Sequence, residues 1–191
     1  MKKGLLLSLA LLLVSGVAFA QLPPVGYIGL YTDTGAPPDP LSSCVTGTGF
    51  YPVEMYIWTL PSENGMICAE FMITYPASVI QSTVTTSPDV SVTLGTLDTG
   101  MSACLLNCSW TWTWYFHQTI YVTDDATPMS CQIVKHPDLA ILCVQFANCD
   151  PGYPTECCIV HTDLLINQEC PPEDPVGTED ASWGAIKDLV K

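Results

Sequence analysis

The run Ile67-Cys68-Ala69-Glu70-Phe71-Met72-Ile73-Thr74-Tyr75-Pro76-Ala77-Ser78-Val79-Ile80 decides the fold class. Successive side chains of an extended chain point to opposite faces, so Ile67, Ala69, Phe71, Ile73 and Tyr75 share one apolar face. Pro76 lacks the N–H that a strand ladder needs, and Val79 restarts the pattern. Working outward, the same β-branched and aromatic enrichment predicts strands near residues 26–32, 53–60, 79–85, 90–94, 110–122, 131–135, 140–146 and 158–166. Turn chemistry separates them, as in Pro61-Ser62-Glu63-Asn64-Gly65 and Asp150-Pro151-Gly152-Tyr153-Pro154. Many short strands without alternating helices predict an all-β fold, an antiparallel Ig-like β-sandwich.

The two ends read differently. Lys2 and Lys3, an apolar run from Leu5 to Val14 and the small-x-small site Ala18-Phe19-Ala20 predict a secretory signal peptide over residues 1–20. Its short two-lysine start reads as bacterial. Residues 21–170 form the expected disulfide-rich sandwich domain, and 171–181 a stiff acidic Pro-rich linker. Residues 182–191 place Trp183, Ile186 and Val190 on one stripe of a short amphipathic helix. A helix that short needs a surface to pack on, so this tail is a candidate contact for an export or surface-retention partner.

Charge narrows the function classes. The 191-residue chain has no arginine, and its 5 lysines face 19 acids. Loss of the leader would remove two lysines and no acid, leaving a formal charge of −16. Nucleic-acid binding is excluded as an expectation, because phosphate neutralisation needs clustered Lys or Arg. Outside the leader no apolar run is long enough to span a bilayer. The expected location is export: periplasm, cell surface or extracellular medium.

Ten cysteines remain after the leader: Cys44, Cys68, Cys104, Cys108, Cys131, Cys143, Cys149, Cys157, Cys158 and Cys170. An even count in an exported chain reads as a disulfide framework of up to five bridges. Cys104 and Cys108 are close enough to bridge a turn, whereas Cys157 and Cys158 would point apart and take different partners. No paired C-x-x-C and no two histidines at ligand spacing are present, so neither metal nor cofactor is expected.

Candidate sites are few. Trp110, Trp112 and Trp114 alternate with Thr111 and Thr113. The simplest pleat turns the tryptophans into the core, with Ser109, Thr111, Thr113, Tyr115 and His117 facing water. The sharper alternative is an exposed aromatic platform for sugar rings. His117, His136 and His161 lack a G-x-S-x-G elbow or other nucleophile, and His161-Thr162-Asp163 are strand neighbours that point apart. Asp124-Asp125 and Glu173-Asp174 sit in turn or linker sequence rather than in a cleft. Asp98 and Asp124-Asp125 are acidic turns that could attract calcium, but the D-x-[DN]-x-[DN]-G loop is missing and solvated turns are expected. Asn107-Cys108-Ser109 is a formal glycosylation acceptor, expected to be silent.

The stretch from Gly65 to Ile80 resembles a strand pair of cohesin-like domains, with an alternating E-F-x-I-x-Y strand and a Pro-x-x-Val turn. The tail Ser182-Trp183-Gly184-Ala185-Ile186-Lys187, and the opening Ile28-Gly29-Leu30-Tyr31-Thr32-Asp33 before Cys44, are similar to segments of exported bacterial proteins of unassigned role. These resemblances imply an exported, cohesin-like β-sandwich and carry over no catalytic or binding residue. The reading is therefore a non-enzymatic structural, adhesive or binding module whose partner is a protein or a glycan. The alternatives are a glycan-binding module using the tryptophan row and a secreted hydrolase with an unrecognised site.

Overall fold

A computed structural model describes residues 22–138, 140 and 142–170. The expected leader, linker and tail, with Trp183, Ile186, Val190, Glu173 and Asp174, lie outside the described residues.

Thirteen strands and one 3-10 turn are found among the described residues. They are β1 (Tyr27–Tyr31), the 3-10 turn Pro40–Ser43, β2 (Cys44–Val45), β3 (Tyr51–Leu60), β4 (Met66–Thr74), β5 (Val79–Thr86) and β6 (Val90–Thr96). There follow β7 (Gly100–Ser109), β8 (Thr113–Val122), β9 (Met129–Val134), β10 (Gln145–Ala147), β11 (Thr155–Cys157), β12 (Ile159–Thr162) and β13 (Leu164–Ile166). One sheet runs β12-β1-β3-β8-β5. The second runs β11-β10-β4-β9-β13-β2, with β7 on β4 and β6 on β7. The fold is an all-β sandwich, as the alternation predicts.

The core lies between the sheets. Ile28 and Leu30 of β1, Val53, Met55 and Ile57 of β3, and Phe116, Ile120 and Val122 of β8 face Ala69, Phe71 and Ile73 of β4 and Met101, Ala103 and Leu105 of β7. Burying each of the larger side chains is worth about 1.5–3 kcal/mol. Ala69, Phe71 and Ile73 of β4 point inward as the period-two pattern picks out, but a register shift near the start of the strand buries Met66 and leaves Ile67 only partly buried.

Four features depart from the sequence reading. β7 was not expected as a strand, yet it pairs with both β4 and β6. Its turn into β6 depends on Gly95, at φ 88°, where a Cβ would lie 2.0 Å from the Gly100 carbonyl oxygen. The expected strand 140–146 shrinks to β10. The expected strand 158–166 breaks at Asp163, because β12 pairs with β1 in one sheet and β13 with β9 in the other. Asp163 sits at that crossing and accepts from Ile133 N and Gln132 Nε2. Finally, the sandwich is not wholly antiparallel: β1–β12 and β13–β2 are parallel.

Eight cysteines form bridges: Cys44–Cys170, Cys68–Cys104, Cys108–Cys149 and Cys143–Cys157. Cys131 and Cys158 are free and buried, so the bridges number four rather than five. Cys104 and Cys108 do not bridge a turn; they lie on one strand and reach different partners, Cys104 pairing directly across the ladder from Cys68. Burial and the nearby Asp163 carboxylate push the Cys131 thiol up to about 12, and burial raises Cys158 as well. Both thiols therefore stay protonated and unreactive in the folded chain.

Two outcomes follow from this arrangement. Thiol titration of unreduced protein is expected to find two reactive groups per chain, and only after unfolding; ten, or none, would contradict the bridge pattern. The double variant Cys44→Ser/Cys170→Ser opens a separation of 126 residues, and Cys143→Ser/Cys157→Ser one of 14. Chain entropy then predicts losses of about 5 and about 3 kcal/mol, measurable by denaturant unfolding.

Candidate functional site

The site begins with an irregularity in the β3–β8 ladder. Ile57 pairs with Phe116, but the next residue, Trp58, pairs with Trp114, so Tyr115 is an extra residue on β8. A bulge of this kind bends the strand and resets which side chains face inward. Tyr115 and Phe116 are both buried as a result. Trp114 falls on the outer side of the five-stranded sheet, against Tyr56, which shares that face of β3 with Glu54.

The expectation that the tryptophans fill the core is therefore overturned. Trp110 is 53% exposed, and Trp112 and Trp114 are half-buried. Trp110 and Trp112 also precede β8, which starts at Thr113 rather than at 110. Trp112 packs edge-on against Tyr31, and Trp114 edge-on against Tyr56. No hydrogen bond among the described residues uses the indole nitrogen of Trp110, Trp112 or Trp114. Trp58 is the buried member of the group, and its Nε1 donates to the Asp33 carbonyl at 2.9 Å.

These residues line a cavity of about 460 Å3 that opens to solvent, together with Ala36, Asp89, Leu106 and Asn107. Hydroxyl groups organise one wall. Ser109 Oγ and Thr113 Oγ1 lie 2.7 Å apart, and both donate to the Thr111 carbonyl. The Cys108–Cys149 bridge anchors the same wall. The opposite side rests on the loop after β1. There the Asp33 carboxylate accepts from Gly35 N at 2.9 Å and Asp39 N at 3.0 Å, which holds its carboxyl below the ordinary carboxylate range. Flat rings beside hydroxyl groups suit a ligand with apolar faces and polar edges.

The other candidates are dispersed. His117 stacks on Tyr56 and contacts Glu54, which also accepts from Thr119. His161 stacks on Tyr31, whose hydroxyl meets its Nδ1 at 2.7 Å. His136 accepts from Asp138 N through Nδ1. Asp124 accepts from Ala126 N and Thr127 N, and Asp125 from Gly49 N, so both shape turns. Asp98 accepts from Thr96 Oγ1. Among the described residues no three His, Cys, Asp or Glu converge as a metal site. Asn107 is exposed beside the Cys108 bridge.

Sequence reasoning named the three tryptophans but not Tyr31, Tyr56 or Trp58, which pack against them or share the cavity. The available signal was a second aromatic pair at matching alternation, Tyr56 and Trp58, on the strand that pairs with β8.

No protein-family model matches the chain, and no curated protein matches it. Among solved structures the chain is similar to one from the Coh-OlpC-Doc435 complex, a type I cohesin–dockerin complex of Clostridium thermocellum. Identity there is 10%, coverage 76% of this chain and 96% of that one, and the TM-score 0.48. It is also similar to the seventh ScaB type I cohesin of Pseudobacteroides cellulosolvens, with 12% identity, 80% and 96% coverage and a TM-score of 0.45.

The Asp33 loop gives a pH test. A carboxyl held low in the folded chain stabilises it fully above the unfolded value near ~3.9 and loses that contribution as pH falls toward the lowered folded value. Asp33→Asn is therefore expected to be less stable than the parent at neutral pH. The gap should close in strong acid, as read by thermal unfolding across a pH series.

Proposed function

We propose that this chain is an exported, non-catalytic binding module, and that its ligand is a glycan held in the tryptophan-lined cavity. The observation that carries this reading is the Tyr115 bulge, which leaves Trp112 and Trp114 outside the core beside the exposed Trp110. A sandwich of this size has ample apolar residues for its interior. Tryptophans left at the surface, with indole N–H groups that no atom of the described residues satisfies, mark a contact site. Sugar rings fit it, because their C–H faces stack on indole while hydroxyls reach Ser109, Thr111, Asn107 and Asp89 at the rim.

Export is supported by the bridges, since disulfides persist in oxidising compartments. Residues 21–170 are then the working domain, in the periplasm, at the cell surface or outside the cell. The non-catalytic part is supported by how the histidines are held. His117 and His161 stand on different strands, each stacked on a tyrosine, and neither faces the cavity with a nucleophile.

The reading is tested by intrinsic fluorescence and affinity electrophoresis with soluble neutral polysaccharides. Binding is expected to shift the tryptophan emission. Trp110→Ala should weaken binding by at least tenfold with only a small drop in melting temperature, because half of the ring is exposed and the rest lies against Gly65 rather than in the core. A spectrum indifferent to every neutral polysaccharide, or a variant that binds like the parent, would sink the proposal.

A further inference from the structure

The aromatic groups do not end at the cavity. On β8 the outward residues after the bulge are His117, Thr119 and Tyr121, while Phe116, Gln118, Ile120 and Val122 are buried. Their partners on β3 are Tyr56 opposite His117, Glu54 opposite Thr119 and Pro52 opposite Tyr121. Tyr56 links the two ends of this row, stacking on His117 at 4.5 Å and meeting Trp114 edge-on. At the far end Phe50 stacks on Tyr121, their centroids 5.4 Å apart and their planes within 8°. Phe50 is 63% exposed, so this second platform faces solvent as Trp110 does. From Trp114 to Tyr121 the strand covers roughly 20 Å at ~3.3 Å per residue.

Around His117 the row is a single file rather than a broad apolar patch, and only at the distal end does the exposed Ile80 of β5, opposite Tyr121, widen it. Thr119 and Glu54 interrupt the rings, and on the neighbouring strand β5 the exposed Thr85 stands opposite His117. Charge is one-sided. The chain has no arginine, and the one lysine among the described residues, Lys135, follows β9 in the other sheet. Glu54 lies on the row and Asp89 at the cavity. Among the described residues this face carries no lysine or arginine, its one basic ring, His117, is already engaged by Glu54, and the whole chain, at −14, repels polyanions.

We infer that the outer face of β3 and β8 is an extended track for an uncharged polysaccharide, with the Phe50–Tyr121 stack as a second platform distal to the tryptophan cavity. This rests on the glycan reading of the cavity and adds ligand length and charge to it. A short oligosaccharide reaches only the tryptophans. A longer chain runs along Tyr56 and His117 and gains the distal rings. Recognition is by stacking and hydroxyl contacts, so it resists salt, whereas attraction of a cationic chain to the acidic surface would fade as salt rises.

The test uses the intact exported chain in titration calorimetry against neutral cello-, manno- and xylo-oligosaccharides from disaccharide to hexasaccharide, and against polygalacturonate. For at least one neutral series, affinity is expected to rise with length and to be unchanged between low and high salt. Polygalacturonate should not bind. Phe50→Ala, and Phe50→Ala/Tyr121→Ala where it folds, should cost about tenfold for the hexasaccharide and nothing for the short members. Phe50 is exposed enough that the single variant keeps the test valid if the double one unfolds.

Equal hexasaccharide affinity in Phe50→Ala and parent would overturn the track, as would preferred binding of polygalacturonate or a salt-sensitive interaction. Should Trp110→Ala abolish binding while Phe50→Ala changes nothing at any length, the cavity reading stands and the track alone falls. Should neither matter, the face is not a glycan site, and a protein partner becomes the reading to pursue.

Discussion

Along β3 and β8 every inward position is filled by Val53, Met55, Ile57, Phe116, Gln118, Ile120 or Val122, and this ladder holds one sheet onto the other. Strict alternation carried back from Phe116 would put Trp114 and Trp112 inside as well. The layer between the sheets is already occupied at that end by Ile28, Leu30, Met66 and Leu105. One extra residue, Tyr115, settles the conflict by taking the inward place itself. Its hydroxyl is buried without a hydrogen-bond partner among the described residues, a cost of about 1–3 kcal/mol. The ring volume offsets that cost, and the tryptophans are left facing water. The bulge thus links the packing of the core to the chemistry of the surface.

What the sequence made legible was whatever alternation alone controls. β3, β4, β5 and β9 lie close to the stretches rich in β-branched and aromatic residues, and Ala69, Phe71 and Ile73 of β4 are inward as its pattern names, although a register shift buries Met66 in place of Ile67. β7 was hidden because Gly-Met-Ser-Ala-Cys-Leu-Leu-Asn-Cys-Ser has little β-branched character, although Met101, Ala103 and Leu105 alternate as a buried face should. The two nearby cysteines suggested a turn, whereas their spacing of four is equally that of two side chains on one strand face. The break at Asp163 was hidden for another reason. A strand that changes sheets keeps its composition, and only the partner strands reveal the crossing.

The tryptophan site shows the same limit more sharply. Alternation correctly separated the tryptophans from the threonines, but a bulge inverts which set is inside, and one-residue shifts leave no compositional trace. The disulfide partners were out of reach for a related reason. Cys68–Cys104 depends on the register of β4 with β7, and Cys44–Cys170 on the parallel pairing of β2 with β13. Long-range register is a property of the assembled sheets and not of any local stretch.

The acidity and the bridges belong to one physical solution. A chain at −14 with almost no basic residues has few ion pairs available, of which His117–Glu54 is an example. Its self-repulsion works against compactness, which four covalent links resist by limiting the unfolded chain. The same scarcity of cations constrains how the surface can hold anything. Without arginine there is no bidentate grip on carboxylates or phosphates, so binding has to come from ring faces, hydroxyls and backbone groups. Those groups gather around the β3–β8 ladder: Trp114, Tyr56 and Tyr121 stand on the outer face of the five-stranded sheet with Thr119 between them and Phe50 stacked at the far end, and Trp110, Trp112 and Ser109 line the cavity beside it. A surface so built discriminates by shape and stacking rather than by charge, and that restriction is why an uncharged glycan is the ligand proposed for it.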